Sequence, residues 1–378
     1  MRILLLSAYA AHSHVLWQES LQAMFPDWEW RVLSLPPRHF SWRIRGNPLY
    51  WSVTERDILE SGYDLLLATS MVDLATLRGL VPALCSLPSV LYFHENQFEY
   101  PPGRARHSPL EAQMVSLYAA LAADRLAFNS AFNRDSFLAG CEALLGKLPD
   151  RVPRGIVSRL RERSTVLPVP FDCAQRPVPG GASQPWPGRG RPDGRPLRLL
   201  WAARFEHDKG GDGLLLTLRE LERIGLDYQL AVVGQQFRNS PGCFQCIENE
   251  FAHRLVCFGF VPQRADLHAL MCGADLVLST ALHEFQGLAV MEAVAAGCIP
   301  VVPDRLVYPE LYPAACRYPS LQAQPEAEAV GAARLVVALA ARLASGELEV
   351  PDLENYTRGG LVQHYRSLFQ SLARGGAG

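Results

Sequence analysis

His283-Glu284-Phe285-Gln286-Gly287-Leu288-Ala289-Val290-Met291-Glu292-Ala293-Val294-Ala295-Ala296-Gly297 carries two glutamates eight residues apart, with a glycine between them and apolar residues in most other places. A strand candidate, Leu276–Ser279, precedes this run and another, Ile299–Val302, follows it, so the local order is strand, turn, helix, strand. The helix is predicted over Gly287–Ala296. A spacing of eight is a little over two turns at about 3.6 residues each, which predicts that Glu284 and Glu292 share one face of the helix's first half. Backbone N–H groups around Phe285, Gln286, Gly287 and Leu288 lie where a helix start carries partial positive charge and favours an anion. Amides for a diphosphate and carboxylates for hydroxyls suit a nucleotide sugar. Taken singly, each glutamate is accounted for by the helix dipole, and Gly297 by an ordinary C-cap. The combination turns the reading towards function.

Outward from this run the same alternation continues. Upstream, strand candidates Arg2–Ser7, Trp30–Leu35, Tyr63–Thr69, Ser89–Phe93, Arg125–Asn129 and Ser164–Leu167 alternate with helices at Ser13–Met24, Leu74–Leu84, Leu110–Ala122 and Ala131–Leu145. Strands restart at Leu197–Ala202, Gln229–Val233 and Val256–Phe258, with helices at Gly210–Ile224 and Ala265–Cys272 between them. The prediction is an α/β chain of two Rossmann-like, doubly wound parallel-sheet domains facing across a cleft. Residues 1–175 form an N-terminal acceptor domain, 176–196 a Pro/Gly-rich linker, and 197–356 a C-terminal nucleotide-sugar donor domain. The last stretch, 357–378, carries a helix at Leu361–Ala373 expected to pack back on the first domain.

The 378 residues allow two ordinary cores, and 49% hydrophobic with 20% charged residues is the balance of a globular enzyme. A net charge of −2 excludes a global pull towards nucleic acid or membrane. No apolar run reaches membrane-spanning length, and Met1–Ala8 reads as a buried strand rather than a signal peptide. Nine cysteines without a framework suit a reducing compartment, so the expected location is cytoplasmic. Of 36 basic residues, only Lys147 and Lys209 are lysine.

Ligands of such folds bind beyond the carboxyl ends of the strands, which directs attention to three turns around one space. Trp201–Gly211 (WAARFEHDKGG) places Arg204 and Lys209 after a strand and before a helix, and a guanidinium fork with a compact ammonium suits two phosphates. The turn after Ser89–Phe93 delivers His94, Glu95, Asn96 and Gln97, where a histidine approaches a hydroxyl. The Glu284 turn is the third. Phe128–Asn133 adds Asn129 and Ser130, one or other of which is expected to cap the next helix. The first loop, Tyr9–His14, has no glycine, and its Ser13 and His14 are candidates for the acceptor side. Aromatic and basic residues interleave through Arg38–Arg45, including Trp42, Arg43 and Arg45, a pattern that stacks bases and tracks phosphates. Cys243-Phe244-Gln245-Cys246 is a lone CxxC; a zinc site needs two more ligands, and no metal is assigned.

The Arg204–Lys209 turn and the Glu284–Glu292 element resemble the donor site of retaining glycosyltransferases of family 4, which have the GT-B fold. That resemblance implies that Glu284 contacts the sugar, Glu292 the nucleotide ribose, Arg204 and Lys209 the diphosphate, and His94 the transferred sugar. A narrower resemblance covers nearly the whole chain. The strings HFSWRIRG (His39–Gly46), LYFHENQ (Leu91–Gln97), FNSAFNRDSFL (Phe128–Leu138), FEHDK (Phe205–Lys209), HEFQG (His283–Gly287) and LVYPELY (Leu306–Tyr312) are similar to those of tRNA-queuosine α-mannosyltransferases. The resemblance implies retaining, metal-independent transfer of mannose from GDP-mannose to the cyclopentenediol of queuosine in the anticodon of tRNA-Asp. No cofactor is expected beyond the donor, and no membrane partner. The competing readings are a family-4 enzyme with another nucleotide sugar and a lipid-linked or polysaccharide acceptor, and a non-catalytic RNA- or nucleotide-sugar-binding protein.

Overall fold

The computed structural model describes residues 1–99, 109–172, 185–187 and 195–375. They divide into two compact units, one of Met1–Phe171 with Glu354–Gly378 and one of Asp172–Leu353.

In the first unit, strands β1 (Arg2–Ser7), β2 (Glu29–Ser34), β3 (Leu65–Thr69), β4 (Ser89–Phe93), β5 (Arg125–Phe128) and β6 (Ser164–Val166) form one sheet in the order β2-β1-β3-β4-β5-β6. Every pairing is parallel. β3 and β4 are buried along their whole length, the signature of a sheet covered on both faces. The helix Arg358–Gly375 belongs to this unit: Tyr365 accepts from Trp17 Nε1 at 2.9 Å and donates to the Pro168 carbonyl at 2.9 Å.

The second unit repeats the plan. Strands β7 (Leu197–Ala202), β8 (Tyr228–Val233), β9 (Leu255–Gly259), β10 (Leu276–Leu278), β11 (Ile299–Pro303) and β12 (Arg317–Tyr318) lie in the order β12-β11-β10-β7-β8-β9, again all parallel. The chain runs outward from β7 through β8 to β9, then returns to place β10 on the other side of β7. The strand order therefore reverses between β7 and β10, and in β1 and β3 of the first sheet it does the same.

Three differences from the sequence reading have physical causes. A helix spans Phe40–Thr54 although Gly46 and Pro48 interrupt its pattern. Pro48 has no N–H for the Ile44 carbonyl; Asn47 Nδ2 donates to that carbonyl at 3.2 Å and to Arg43 O at 2.8 Å. Pro325–Ala344 is a helix of 20 residues where no element was expected, with proline in its first turn and Glu326 and Glu328 beside it, both favourable at a helix start. Most of the expected linker, 176–196, lies outside the described residues. Within it Trp186 is buried and donates to Leu270 O at 2.9 Å, while Arg195 grips Asp275 through two bonds of 2.6 and 2.8 Å, so these points are fastened to the second unit.

Candidate active site

Where strand order reverses in a parallel sheet, the loops after the two central strands part and leave a crevice beyond their carboxyl ends. In the second unit those loops follow β7 and β10, and they are tied together. Leu282 N and His283 N both donate to Asp208 O, at 2.9 and 3.0 Å. Thr280 Oγ1 donates to Lys209 O at 3.2 Å and accepts from Trp201 Nε1 at 3.1 Å. The approach is so close that only glycine fits at Gly210: its φ is +70°, and a Cβ there would lie 1.9 Å from Thr280 O. Gly234, which sequence reading passed over, has the same function on the other side, since a Cβ would lie 1.7 Å from Ala203 O.

This tie brings Lys209 and Glu284 together. Lys209 Nζ lies 3.1 Å from Glu284 Oε2, 3.3 Å from Asp208 Oδ2 and 2.9 Å from His283 O. Burial by itself would lower the Lys209 pKa, but the facing Glu284 and Asp208 carboxylates outweigh it and hold the pKa above its ordinary value. Burial likewise acts to raise the Glu284 pKa; the Lys209 charge, its hydrogen bond and the Gly287 amide together bring it below the usual range. Both groups are charged at neutral pH.

Glu284 lies in the turn before the helix and Glu292 within it, as the sequence reading placed them. The helix begins at Leu288, and Gly287 at φ +74° is its N-cap. Glu284 therefore folds back, and its Oε1 accepts from Phe285 N at 3.2 Å and Gly287 N at 3.1 Å. The two amides expected to face a diphosphate are taken by the glutamate in this structure. Glu292 sits inside the helix and pairs with Arg264 at 3.6 Å. Arg204 is half-exposed and pairs with Glu206 at 2.6 Å and Asp208 at 3.9 Å. Phe285 and Gln286 are buried, Gln286 with Nε2 3.9 Å from Met291 Sδ. Under the turn lies Tyr308, from the LVYPELY string, whose Oη is 2.6 Å from Ser279 Oγ and whose ring edge stands 3.4 Å from where a Gly287 Cβ would be. Tyr308 and Asp208 went unassigned in the sequence reading, although both lie in strings quoted there.

The remaining candidates belong to the first unit. His94 is buried directly after β4, and its ring stacks on His14 at a centroid distance of 4.0 Å. Ser13 lies half-buried in the first turn of the His12–Met24 helix. Of the two cap candidates it is Ser130 that caps the next helix, accepting from Asn133 N at 3.0 Å, while Asn129 Nδ2 donates to His94 O at 2.9 Å. Asn133 in turn donates to Asn129 Oδ1 at 2.8 Å, and Asn96 Nδ2 donates to Asn133 Oδ1 at 2.9 Å. Asn96 and Asn129 thus build the scaffold under His94. Glu95 is half-buried and gives its carbonyl to Ser70 Oγ at 3.2 Å, and Gln97 Nε2 lies 3.8 Å from Met71 Sδ. Trp42 is 57% exposed on the Phe40–Thr54 helix, its indole lying across Gly46. Arg45, on the same helix, pairs with Asp73 at 2.6 Å and Glu111 at 3.4 Å, and Arg43 is half-buried.

Among the described residues, no three His, Cys, Asp or Glu side chains gather to hold a metal, and no helix is long and apolar enough to cross a membrane. Cys243 is buried and Cys246 exposed; burial, aided by the Asp212 carboxylate, pushes the Cys243 thiol up to about 12.

Solved structures share this architecture over almost their full length. A glycosyltransferase from Rickettsia africae matches with a TM-score of 0.63 at 13% identity, covering 98% of each chain. Anabaena Alr3699/HepE in complex with UDP matches with a TM-score of 0.60 at 15% identity, covering 98% of this chain and 100% of the other. Residues 184–313, which hold Lys209 and Glu284, match the glycosyl transferases group 1 family. Fold and site thus define a glycosyltransferase of the GT-B class. Residues 2–171 match the tRNA-queuosine alpha-mannosyltransferase N-terminal family. The chain is also 33% identical, over 75% of its length and 74% of the other, to the tRNA-queuosine alpha-mannosyltransferase of Drosophila melanogaster. It belongs to the tRNA-queuosine alpha-mannosyltransferase family.

Proposed function

We propose that this chain transfers mannose from GDP-mannose to the cyclopentenediol of queuosine in the anticodon of tRNA-Asp, in the cytoplasm, with retention and without a metal. The observation that carries the reading is the half-buried Lys209–Glu284 pair, 3.1 Å apart at the point where strand order reverses, in a chain of this family. Lys209 and Arg204 would take the diphosphate and stabilise the charge that develops as GDP departs. Glu284, released in part from the Phe285 and Gly287 amides, would hold mannose hydroxyls, and those amides with Leu288 at the helix start would face phosphate oxygen. Glu292 would take the guanosine ribose. No side chain of this turn is placed as a covalent nucleophile, which favours front-face displacement. The queuosine hydroxyl oxygen bonds to the anomeric carbon on the face from which the β-phosphate oxygen leaves, and its proton passes to that oxygen. The products are GDP and mannosyl-queuosine. Both ring nitrogens of His94 are buried and without a hydrogen-bond partner among the described residues, and His94 would meet a substrate hydroxyl with one of them.

The test is incubation with GDP-mannose and tRNA that contains or lacks queuosine, then digestion and mass measurement of the nucleosides. One added hexose, on queuosine alone, is the expected result. Transfer to another acceptor or from another nucleotide sugar only, or binding without turnover, overturns it.

A further inference from the structure

A histidine that handles a hydroxyl normally has its ring oriented by a hydrogen bond from the nitrogen not in use. His94 has none among the described residues: Nδ1 and Nε2 are both buried and unpartnered. Its backbone is fastened, through the 2.9 Å bond from Asn129 Nδ2 to its carbonyl, but its ring is held by rings alone. His14 covers one face at 4.0 Å with planes 21° apart, Trp17 presents an edge at 5.2 Å and 83°, and Tyr92 lies tilted at 4.7 Å. Trp17 is in turn stacked on Tyr92 at 4.3 Å and pinned by its bond to Tyr365, so two sides of this box are rigid. The third side is His14, from the helix that follows the glycine-free loop. Ser7 at the end of β1 and Thr69 at the end of β3 also carry buried hydroxyls without a partner, at the edge where strand order reverses in this sheet.

We propose that His14 is a positioning residue for His94: its stacked imidazole fixes the plane of the His94 ring and thereby the direction in which the ring nitrogens meet a substrate hydroxyl. The inference rests on the hydroxyl-facing role given to His94 above. It also gives the histidine in the first turn of this helix a use, since a flat ring there covers one face of His94. Among the described residues, the titratable groups that face the two imidazoles are each other, the Tyr92 phenol on β4 and, behind it, Tyr365 of the last helix. Burial holds His14 at about 3, and burial followed by the nearby His14 pushes His94 well below its ordinary value, so both rings stay neutral and the stack is not broken by repulsion.

The experiment compares His14→Ala, His14→Phe, His94→Ala and the His14→Ala/His94→Ala double variant by initial rates of mannose transfer to queuosine-containing tRNA with GDP-mannose varied. His14→Ala is expected to lower kcat about tenfold with the KM for GDP-mannose within about twofold, the size of effect a small misplacement produces. His14→Phe should recover most of the loss. In the His94→Ala background, His14→Ala should cost nothing more. Full activity of His14→Ala, no recovery with Phe, or multiplying losses in the double variant would each overturn the inference. A wild-type activity unaffected by His94→Ala sinks the role of His94 itself. Should the enzyme use another donor or acceptor, an imidazole NMR titration without substrate still decides. His94 is expected to titrate higher in His14→Ala than in wild type, with a smaller rise in His14→Phe, which keeps the burial but not the second imidazole; the same titration in all three refutes the stack as its support.

Discussion

Lys209 and Glu284, 75 residues apart in the chain, meet at 3.1 Å because the turns after β7 and β10 share the Asp208 carbonyl. Removing either partner takes away the nearest opposite charge of a half-buried group, leaving Lys209 with Asp208 at 3.3 Å or Glu284 with the Phe285 and Gly287 amides, so a stability loss of about 1–3 kcal/mol is expected. Lys209→Ala and Glu284→Ala should therefore show two separable effects. Transfer should fall by more than about 100-fold, the scale on which a transition-state charge stabiliser acts. The melting temperature should fall too, with a transition that stays cooperative. Glu284→Gln keeps an oxygen for the Phe285 and Gly287 amides, and should recover most of the stability but little of the rate. Kinetics and thermal melts on the three variants check this, and a Gln variant as active as wild type would show that the charge of Glu284 is not used.

Tyr308 supports the same turn from below. Ser279 Oγ is bonded to Tyr308 Oη at 2.6 Å, while Tyr318 Oη donates to Ser279 O at 2.7 Å, so the residue that follows β10 is clamped from two sides. Tyr308→Phe removes one hydroxyl without opening a cavity, and a buried hydrogen bond of this kind is worth about 1 kcal/mol. The expected outcome is a stability loss of that order with the KM for the donor raised several-fold and kcat nearly unchanged. An unchanged KM would mean that the Gly287 turn keeps its geometry without this bond.

Two buried neutral imidazoles make stability depend on pH with a definite sign. The folded pKa of His14 is about 3 and that of His94 is also lowered, against about 6.5 in an unfolded chain. Above pH 6.5 neither state binds the protons and no penalty exists. Below it the unfolded chain gains protons that the folded one refuses, so stability falls by about 1.4 kcal/mol per pH unit for each histidine, down towards the folded pKa. Chemical denaturation between pH 7 and 4 should therefore show a slope that shrinks by one proton in His14→Phe. The ion pair acts in another window: the contribution of Glu284 is present above its unfolded pKa and is lost only as pH falls through its lowered folded value.

What the chain reveals without coordinates is uneven, for physical reasons. β1, β4 and β7 are read to the residue because buried parallel strands are unbroken apolar runs between turns. The Phe40–Thr54 helix escapes because its continuity depends on Asn47 repairing the defect at Pro48, with Oδ1 accepting from Asp73 N at 3.3 Å on a distant loop. Pro325–Ala344 had legible start signals and was passed over. At the site, residue types and strand ends point to Lys209 and Glu284. That the Glu284 carboxylate occupies two amides follows only from Gly287 in the left-handed region, which delays the helix by one residue. The His14–His94 stack joins the first turn of a helix to a strand end 80 residues on, a contact that no local pattern encodes.

Trp42 offers the sharpest test of the acceptor side. Its helix buries Ile44, Asn47 and Trp51 and leaves Trp42, Leu49, Tyr50 and Val53 outward, at 57%, 56%, 44% and 76% exposure. A tryptophan that supports a fold would be inward; this one lies flat over Gly46, where a Cβ would come within 2.5 Å of its indole. Stacking of a nucleobase on such a ring is worth about 1–3 kcal/mol. Trp42→Ala should weaken binding of queuosine-containing tRNA by about tenfold or more, while the KM for GDP-mannose and the melting temperature stay as in wild type. Arg43→Ala should instead weaken tRNA binding and flatten its salt dependence by about one unit of slope, as expected for a lost phosphate contact. Binding isotherms at several salt concentrations separate the two effects. Unaltered tRNA affinity in both variants would move the acceptor surface away from the Phe40–Thr54 helix.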